Sequence, residues 1–136
     1  MEFLHKNITS LRVRYAETDQ MGYCYYGNYA QYCEVGRVEA LREIGMSYRE
    51  LEKSGVMLPV SEFSIKYKRP AKYDDKVIIT TYVKEVKGTR IFFLYEMHDE
   101  NNRLLIEAST TLVFVSADSM KPIAPPQHFL DLLNVT

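Results

Sequence analysis

Between Arg90 and Tyr95 the chain reads Arg-Ile-Phe-Phe-Leu-Tyr, so an extended backbone carries Ile91, Phe93 and Tyr95 on one face and Phe92 and Leu94 on the other. An antiparallel strand that is apolar on both faces must be covered on both sides. Its neighbours read as strands too. Lys76 to Val83 is rich in β-branched residues and Leu104 to Val115 makes a long strand. Phe63, Ile65 and Tyr67 alternate with Glu62, Ser64, Lys66 and Lys68 until Pro70 ends the ladder. Turn residues at Asp74-Asp75, Lys87-Gly88 and Asp99 to Asn102 link these strands as hairpins. An earlier strand starts at Ser10, where Leu11, Val13 and Tyr15 alternate with Arg12 and Arg14, and Pro122, Pro125 and Pro126 close off a short tail.

One long helix is available to cover this sheet. Asn28 is placed to cap it, with Gln31 reaching back in a capping-box arrangement, and the pattern predicts helix from Tyr29 to about Ile44. Projected on a helical wheel, Ala30, Cys33, Val38, Ala40, Leu41 and Ile44 share one side, with Tyr32, Gly36, Glu39, Arg42, Glu43 and Met46 on the other. Glu34 and Arg37 fall within the apolar side. They either pair with each other at i, i+3 or put Glu34 at the wall of a polar pocket. Ser47-Tyr48-Arg49-Glu50 starts a short second helix through about Lys53. The order is strand, helix, then four strands, an α+β arrangement. A single long helix covers only one face of the sheet. The cheapest second layer is an identical subunit, which predicts a dimer at least.

A chain of 136 residues with 17 basic and 18 acidic side chains is sized for one domain, 1–136, and its formal charge of -1 gives no chain-wide attraction to nucleic acid or anionic lipid. Apolar runs such as Leu112-Val113-Phe114-Val115 fall far short of the ~20 residues that span a bilayer. The start, Met1-Glu2-Phe3-Leu4-His5, has no apolar signal core, so the expectation is a soluble cytoplasmic protein. Cys24 and Cys33 are expected to be reduced core residues. His5, His98 and His128 lack metal-ligand spacing, and there is no Gly-rich phosphate loop or Gly-x-Ser-x-Gly elbow, so neither a metal nor a cofactor is expected.

The segment from Glu17 to Gly27 has no periodicity, and six of the eleven tyrosines lie between Tyr15 and Tyr32, which reads as an ordered loop that delivers side chains to a site. Three blocks carry a family resemblance. The first runs from Arg14-Tyr15-Ala16-Glu17-Thr18-Asp19-Gln20-Met21-Gly22 into Tyr25-Tyr26-Gly27-Asn28-Tyr29. The second is Glu34-Val35-Gly36-Arg37, and the third is Tyr67-Lys68-Arg69-Pro70-Ala71 with Tyr73-Asp74-Asp75. In their order and spacing, from about Leu11 to Val115, the chain resembles the 4-hydroxybenzoyl-CoA thioesterase-like acyl-CoA thioesterases. The resemblance implies a hotdog fold, an antiparallel sheet of five or more strands wrapped around one long central helix. It also implies a dimer or tetramer that hydrolyses the thioester of a small aliphatic or aromatic acyl-CoA, with an acyl carrier protein as the alternative donor. Many relatives carry His where this chain has Tyr26, which rules out an imidazole role at that position here.

A thioester carbonyl is already electrophilic. Its hydrolysis needs a carboxylate to attack it or to activate water, and donors where the oxyanion develops. By the resemblance, Asp19 is the nucleophile or general base and the backbone N–H of Tyr26 or Gly27 polarises the thioester oxygen. The residues alone also allow Asp19 to form an Asx turn that pins its own loop. Glu34 is the alternative catalytic carboxylate, because other hotdog thioesterases place theirs on the central helix. Lys66, Lys68, Arg69, Lys72, Lys87 and Arg90 are able to meet the phosphates of CoA, or are ordinary solvated charges. The tyrosines Tyr23, Tyr25, Tyr26, Tyr29 and Tyr32, with Asn28 beside them, line an acyl pocket or pack at a subunit interface. A non-catalytic module that binds acyl thioesters is the rival reading. Dehydration of 3-hydroxyacyl thioesters, which usually relies on a His with a carboxylate, is disfavoured by Tyr26 and by the lack of any His between His5 and His98.

Overall fold

The computed structural model describes residues 2–135. In chain order its elements are β1 (His5–Arg12), α1 (Asn28–Glu43), α2 (Tyr48–Lys53), β2 (Val56–Met57), β3 (Val60–Tyr67), β4 (Lys76–Lys87), β5 (Arg90–His98), β6 (Leu104–Val113), β7 (Val115–Ser116) and α3 (Gln127–Leu132), with a 3₁₀ turn at Tyr15–Glu17. Five strands form one antiparallel sheet in the order β1-β4-β5-β6-β3, and β2 and β7 make a separate pair. This is the five-stranded sheet around one long helix that the sequence implied. No helix among the described residues is long and apolar enough to cross a membrane.

Register fixes which residues face α1. Asn7, Thr81, Tyr95, Ala108 and Ile65 lie abreast across the five strands, and the next row is Thr9, Ile79, Met97, Ile106 and Tyr67. The core fills the space between these rows and the helix, with Ile91, Phe93, Tyr95 and Met97 of β5 all buried. Phe92 and Leu94 of the same strand point to the other face and are half-buried. Gly36 is what lets α1 lie so close to β4. A Cβ there would meet Ile79 Cγ2 at 2.9 Å and collide with Thr81 Oγ1. Glycine inside a helix costs about 1 kcal/mol relative to alanine, and this close approach is the physical reason to keep it.

Several expectations need correction. The first strand begins at His5 rather than Ser10, because its inward positions include Asn7 and Thr9, whose polarity hides the alternation. The buried stripe of α1 is Tyr29, Tyr32, Cys33, Gly36, Arg37, Ala40 and Leu41. Tyr32 and Gly36 therefore belong to the core side, whereas Ala30 is exposed. The wheel misplaced them because it counted a tyrosine and a glycine as surface residues. The cap of α1 is Gly27 without a side-chain bond, and Asn28 instead turns its Nδ2 to donate to the Glu17 carbonyl at 2.8 Å. Arg37 is buried and its Nε donates to Tyr48 Oη at 2.9 Å, so the expected pair with Glu34 does not form. The proline-closed tail contains a third helix, α3, which buries Phe129 against Phe114 with ring centroids 5.3 Å apart. The short helix after Ser47 is present as expected, with the serine side chain accepting from Glu50 N–H.

Candidate active site

The loop before α1 is a small hairpin. Thr18 and Cys24 pair as an antiparallel bridge, Asp19 N–H donates to the Tyr23 carbonyl at 2.8 Å, and Gly22, with φ of +79°, takes the left-handed turn that a Cβ would strain. Asp19 Oδ1 accepts from Met21 N–H at 2.9 Å and Tyr23 N–H at 3.2 Å, an Asx turn. Its other oxygen, Oδ2, takes no hydrogen bond from the described residues. One oxygen ties the loop and the second is unengaged by the described residues, so an Asx turn does not by itself use up the carboxylate.

The base of the hairpin is held from two directions. The Glu17 carbonyl accepts from Tyr25 N–H at 2.7 Å as well as from Asn28 Nδ2. Its buried carboxylate accepts from Arg14 N–H at 2.9 Å, Arg14 Nη2 at 3.0 Å and Tyr32 Oη at 2.8 Å. Burial pushes the Glu17 carboxyl pKa up, but the bonds from Arg14 and Tyr32 outweigh it and hold the pKa below its ordinary value. The far side of the hairpin is tied to the segment after β3, where Cys24 N–H donates to the Ala71 carbonyl at 2.7 Å and Tyr23 pairs with Lys72.

These ties enclose a cleft of about 300 Å³ lined by Asp19, Met21, Tyr23, Cys24, Tyr26, Tyr29, Tyr67, Lys68, Arg69 and Pro70. At the adjoining helix start, Asn28 N–H and Tyr29 N–H are bonded back to the Tyr25 and Tyr26 carbonyls, while the N–H groups of Tyr26 and Gly27 bond to none of the described residues. Unpaired N–H groups at a helix N-terminus favour negative charge. Tyr29 closes the floor, its hydroxyl accepting from Ala71 N–H at 3.2 Å, and burial pushes its pKa up to about 12. Burial likewise raises the pKa of the Cys24 thiol, whose side chain lines the cleft.

Of the residues singled out in the sequence, Asp19, Tyr23, Tyr26, Tyr29, Lys68 and Arg69 line this one cleft. Gly27 and Asn28 flank it in the chain. Tyr25 is about half exposed and packs its ring on Tyr26, with centroids 4.7 Å apart. Lys72 Nζ sits over the Tyr23 ring, 5.9 Å from its centroid. The others lie elsewhere within the chain. Glu34 is exposed on the outward face of α1 beside Gln31, Val35 and Val38. Lys66 opens onto the opposite face of the sheet with Tyr82, Glu96 and Glu107. Lys87 and Arg90 face each other at the β4–β5 turn, about 27 Å along β4 from Ile79, the residue level with Tyr67. Sequence reasoning missed Glu17, whose only local signal is an acidic residue three positions after Arg14. It also left Met21, Cys24 and Pro70 without a place in the site.

A description of the thioesterase-like superfamily matches residues 13–133. The chain belongs to that superfamily. It is 34% identical over 128 residues to YneP of Bacillus subtilis strain 168, provisionally named an acyl-CoA thioesterase, with 94% of this chain and 93% of the relative covered. It is 33% identical over 120 residues to the acyl-CoA thioester hydrolase YbgC of Escherichia coli O6:H1, covering 88% and 90%. Among solved structures, the DHNA-CoA thioesterase of Staphylococcus aureus superposes with a TM-score of 0.88 at 37% identity, covering 93% of this chain and 85% of that one. The Synechocystis 1,4-dihydroxy-2-naphthoyl-CoA thioesterase has the same fold, with a TM-score of 0.88 at 23% identity over 95% and 96% of the two chains.

Proposed function

We propose that the protein is an acyl-CoA thioesterase that cleaves a small aliphatic or aromatic acyl-CoA to the free acid and CoA, with Asp19 as the reactive carboxylate. The observation that carries this reading is the unengaged Asp19 Oδ2 in a tyrosine-lined cleft that adjoins two unpaired backbone N–H groups and is rimmed by Lys68 and Arg69. The carboxylate attacks the thioester carbonyl or takes the proton of an attacking water, and the N–H of Tyr26 or Gly27 receives the developing oxyanion. The N–H donors belong to the backbone, so the phenol of Tyr26 in place of an imidazole costs the reaction nothing. Lys68 and Arg69 are placed for the phosphates of CoA. An acyl carrier protein is the alternative donor, since its thioester arm presents the same chemistry.

The site is completed by a second copy of the chain, as a dimer or a pair of dimers. Edge strand β3 leaves Val60, Phe63 and Tyr67 exposed, and its last residue, Tyr67, lines the cleft, which supports pairing along this edge. The reaction is assigned to the cytoplasm, where the two free thiols, Cys24 and Cys33, suit a reducing compartment.

Free-thiol release from a panel of short aliphatic to aromatic acyl-CoAs tests the activity. Asp19→Asn, which keeps size and removes charge, is expected to lower kcat by about 10²–10⁴-fold, and Glu34→Gln to leave it largely intact. Near wild-type turnover by Asp19→Asn would return the role to Glu34. Binding of acyl-CoA without turnover by the wild-type protein would select the non-catalytic alternative.

A further inference from the structure

Glu17 stands two residues before Asp19 and is 7% exposed, in a position where the loop could have used an apolar residue. A buried carboxylate is costly unless its lone pairs are met, and here three donors meet them. Those donors come from two different elements. Arg14 belongs to the stretch entering the 3₁₀ turn, and Tyr32 lies on the second turn of α1. The Tyr32 hydroxyl, having donated to Glu17, also receives the Cys24 thiol at 3.5 Å. A chain Cys24–Tyr32–Glu17 therefore braces both legs of the Asp19 hairpin against the helix whose N-terminus borders the cleft. The Glu17 carbonyl repeats the connection through Asn28 and Tyr25.

We propose that Glu17 is a positioning residue for the reaction, its carboxylate fixing the distance between the Asp19 carboxylate and the donors at the start of α1. The inference rests on the assignment of Asp19 above. The Asp19 side chain holds its own turn through Oδ1, and Tyr23 and Cys24 tie the far leg of the hairpin to Lys72 and Ala71. The Glu17 network anchors the near leg, next to Asp19, to α1 through Tyr32. Displacement of about 1 Å in such a group costs on the order of 10²-fold in rate. A group that acts only through Asp19 has no effect once Asp19 is gone.

The experiment is a kinetic cycle on the full chain with Glu17→Gln, Asp19→Asn and the double variant, with kcat referred to folded protein measured by circular dichroism and thermal melting. Glu17→Gln places an amide N–H against the Arg14 guanidinium and is expected to lower kcat by about 10²-fold, with KM for acyl-CoA within about twofold. Tyr32→Phe, which removes one bond to Glu17 without changing charge, lowers kcat by about tenfold and decides the matter if Glu17→Gln does not fold. In the Asp19→Asn background, Glu17→Gln adds no further loss. Wild-type kcat in Glu17→Gln and Tyr32→Phe, or losses that multiply in the double variant, would overturn the proposal. Full activity in Asp19→Asn alone would instead sink the assignment of Asp19, a separate readout of the same cycle.

Discussion

At the scale of single residues, the site is built from groups that do two things at once. Asp19 forms the turn and keeps an oxygen open, and Glu17 satisfies three donors while holding the loop. The second has a consequence for acid stability. Because the folded state binds the Glu17 proton less tightly than the unfolded chain, its stabilising contribution is present above the ordinary carboxylate range and is lost as pH falls through the lowered folded pKa. The wild-type melting temperature is therefore expected to drop as pH falls below the ordinary carboxylate range, and the drop is shallower in Glu17→Gln. Equal slopes in melting temperature against pH for the two proteins would show that Glu17 is not held ionised. Asp19, Tyr26, Lys68 and Arg69 were legible in the sequence because each sits in a block whose order carries the resemblance. Glu17 was in the same block yet passed unnoticed, since burial of a charge next to an exposed Arg14 depends on Tyr32, fifteen residues away on the helix.

At the scale of elements, β3 to β6 and the turns between them were readable from alternation and turn chemistry, β1 was not because Asn7 and Thr9 mask its alternation, and α1 was placed to within one residue at each end. Its orientation was not readable, because the core stripe contains Tyr32, Gly36 and Arg37, residues whose side chains only make sense against specific partners. Tyr32 meets Glu17, Arg37 meets Tyr48, and Gly36 meets β4. Gly36→Ala tests the last of these. On an exposed helix alanine would stabilise the protein by up to about 1 kcal/mol, whereas the clash with Thr81 and Ile79 predicts a loss of about 1–3 kcal/mol from overpacking. Denaturant unfolding gives the sign directly. The missed helix α3 follows from Pro125 and Pro126, read as the end of structure when Pro126 in fact precedes the first turn, a position where its missing N–H is harmless. Phe129→Ala removes the ring that α3 stacks on Phe114 and is expected to cost about 3–5 kcal/mol in the same assay.

At the scale of the whole molecule, one helix covers one face of a five-stranded sheet, and the proposal that a second copy of the chain completes the site is tested at this scale. Strand β3 is where a second copy would dock. All of its residues except Ile65 are exposed, it sits at the sheet edge, and it ends at Tyr67, which both lines the cleft and packs against Tyr26 and Tyr29. An eight-residue edge strand with apolar Val60, Phe63 and Tyr67 exposed invites pairing. Pairing of β3 with its own copy would extend the sheet across a two-fold axis and place residues of the second subunit beside Lys68 and Arg69. The expected result is a wild-type protein that sediments as a dimer or larger, and a Phe63→Lys variant that shifts toward monomer and loses turnover in proportion to the monomer fraction. The two must move together. A Phe63→Lys monomer with full kcat and an unchanged KM would mean that the cleft within one chain is sufficient, and that the exposed edge serves assembly alone.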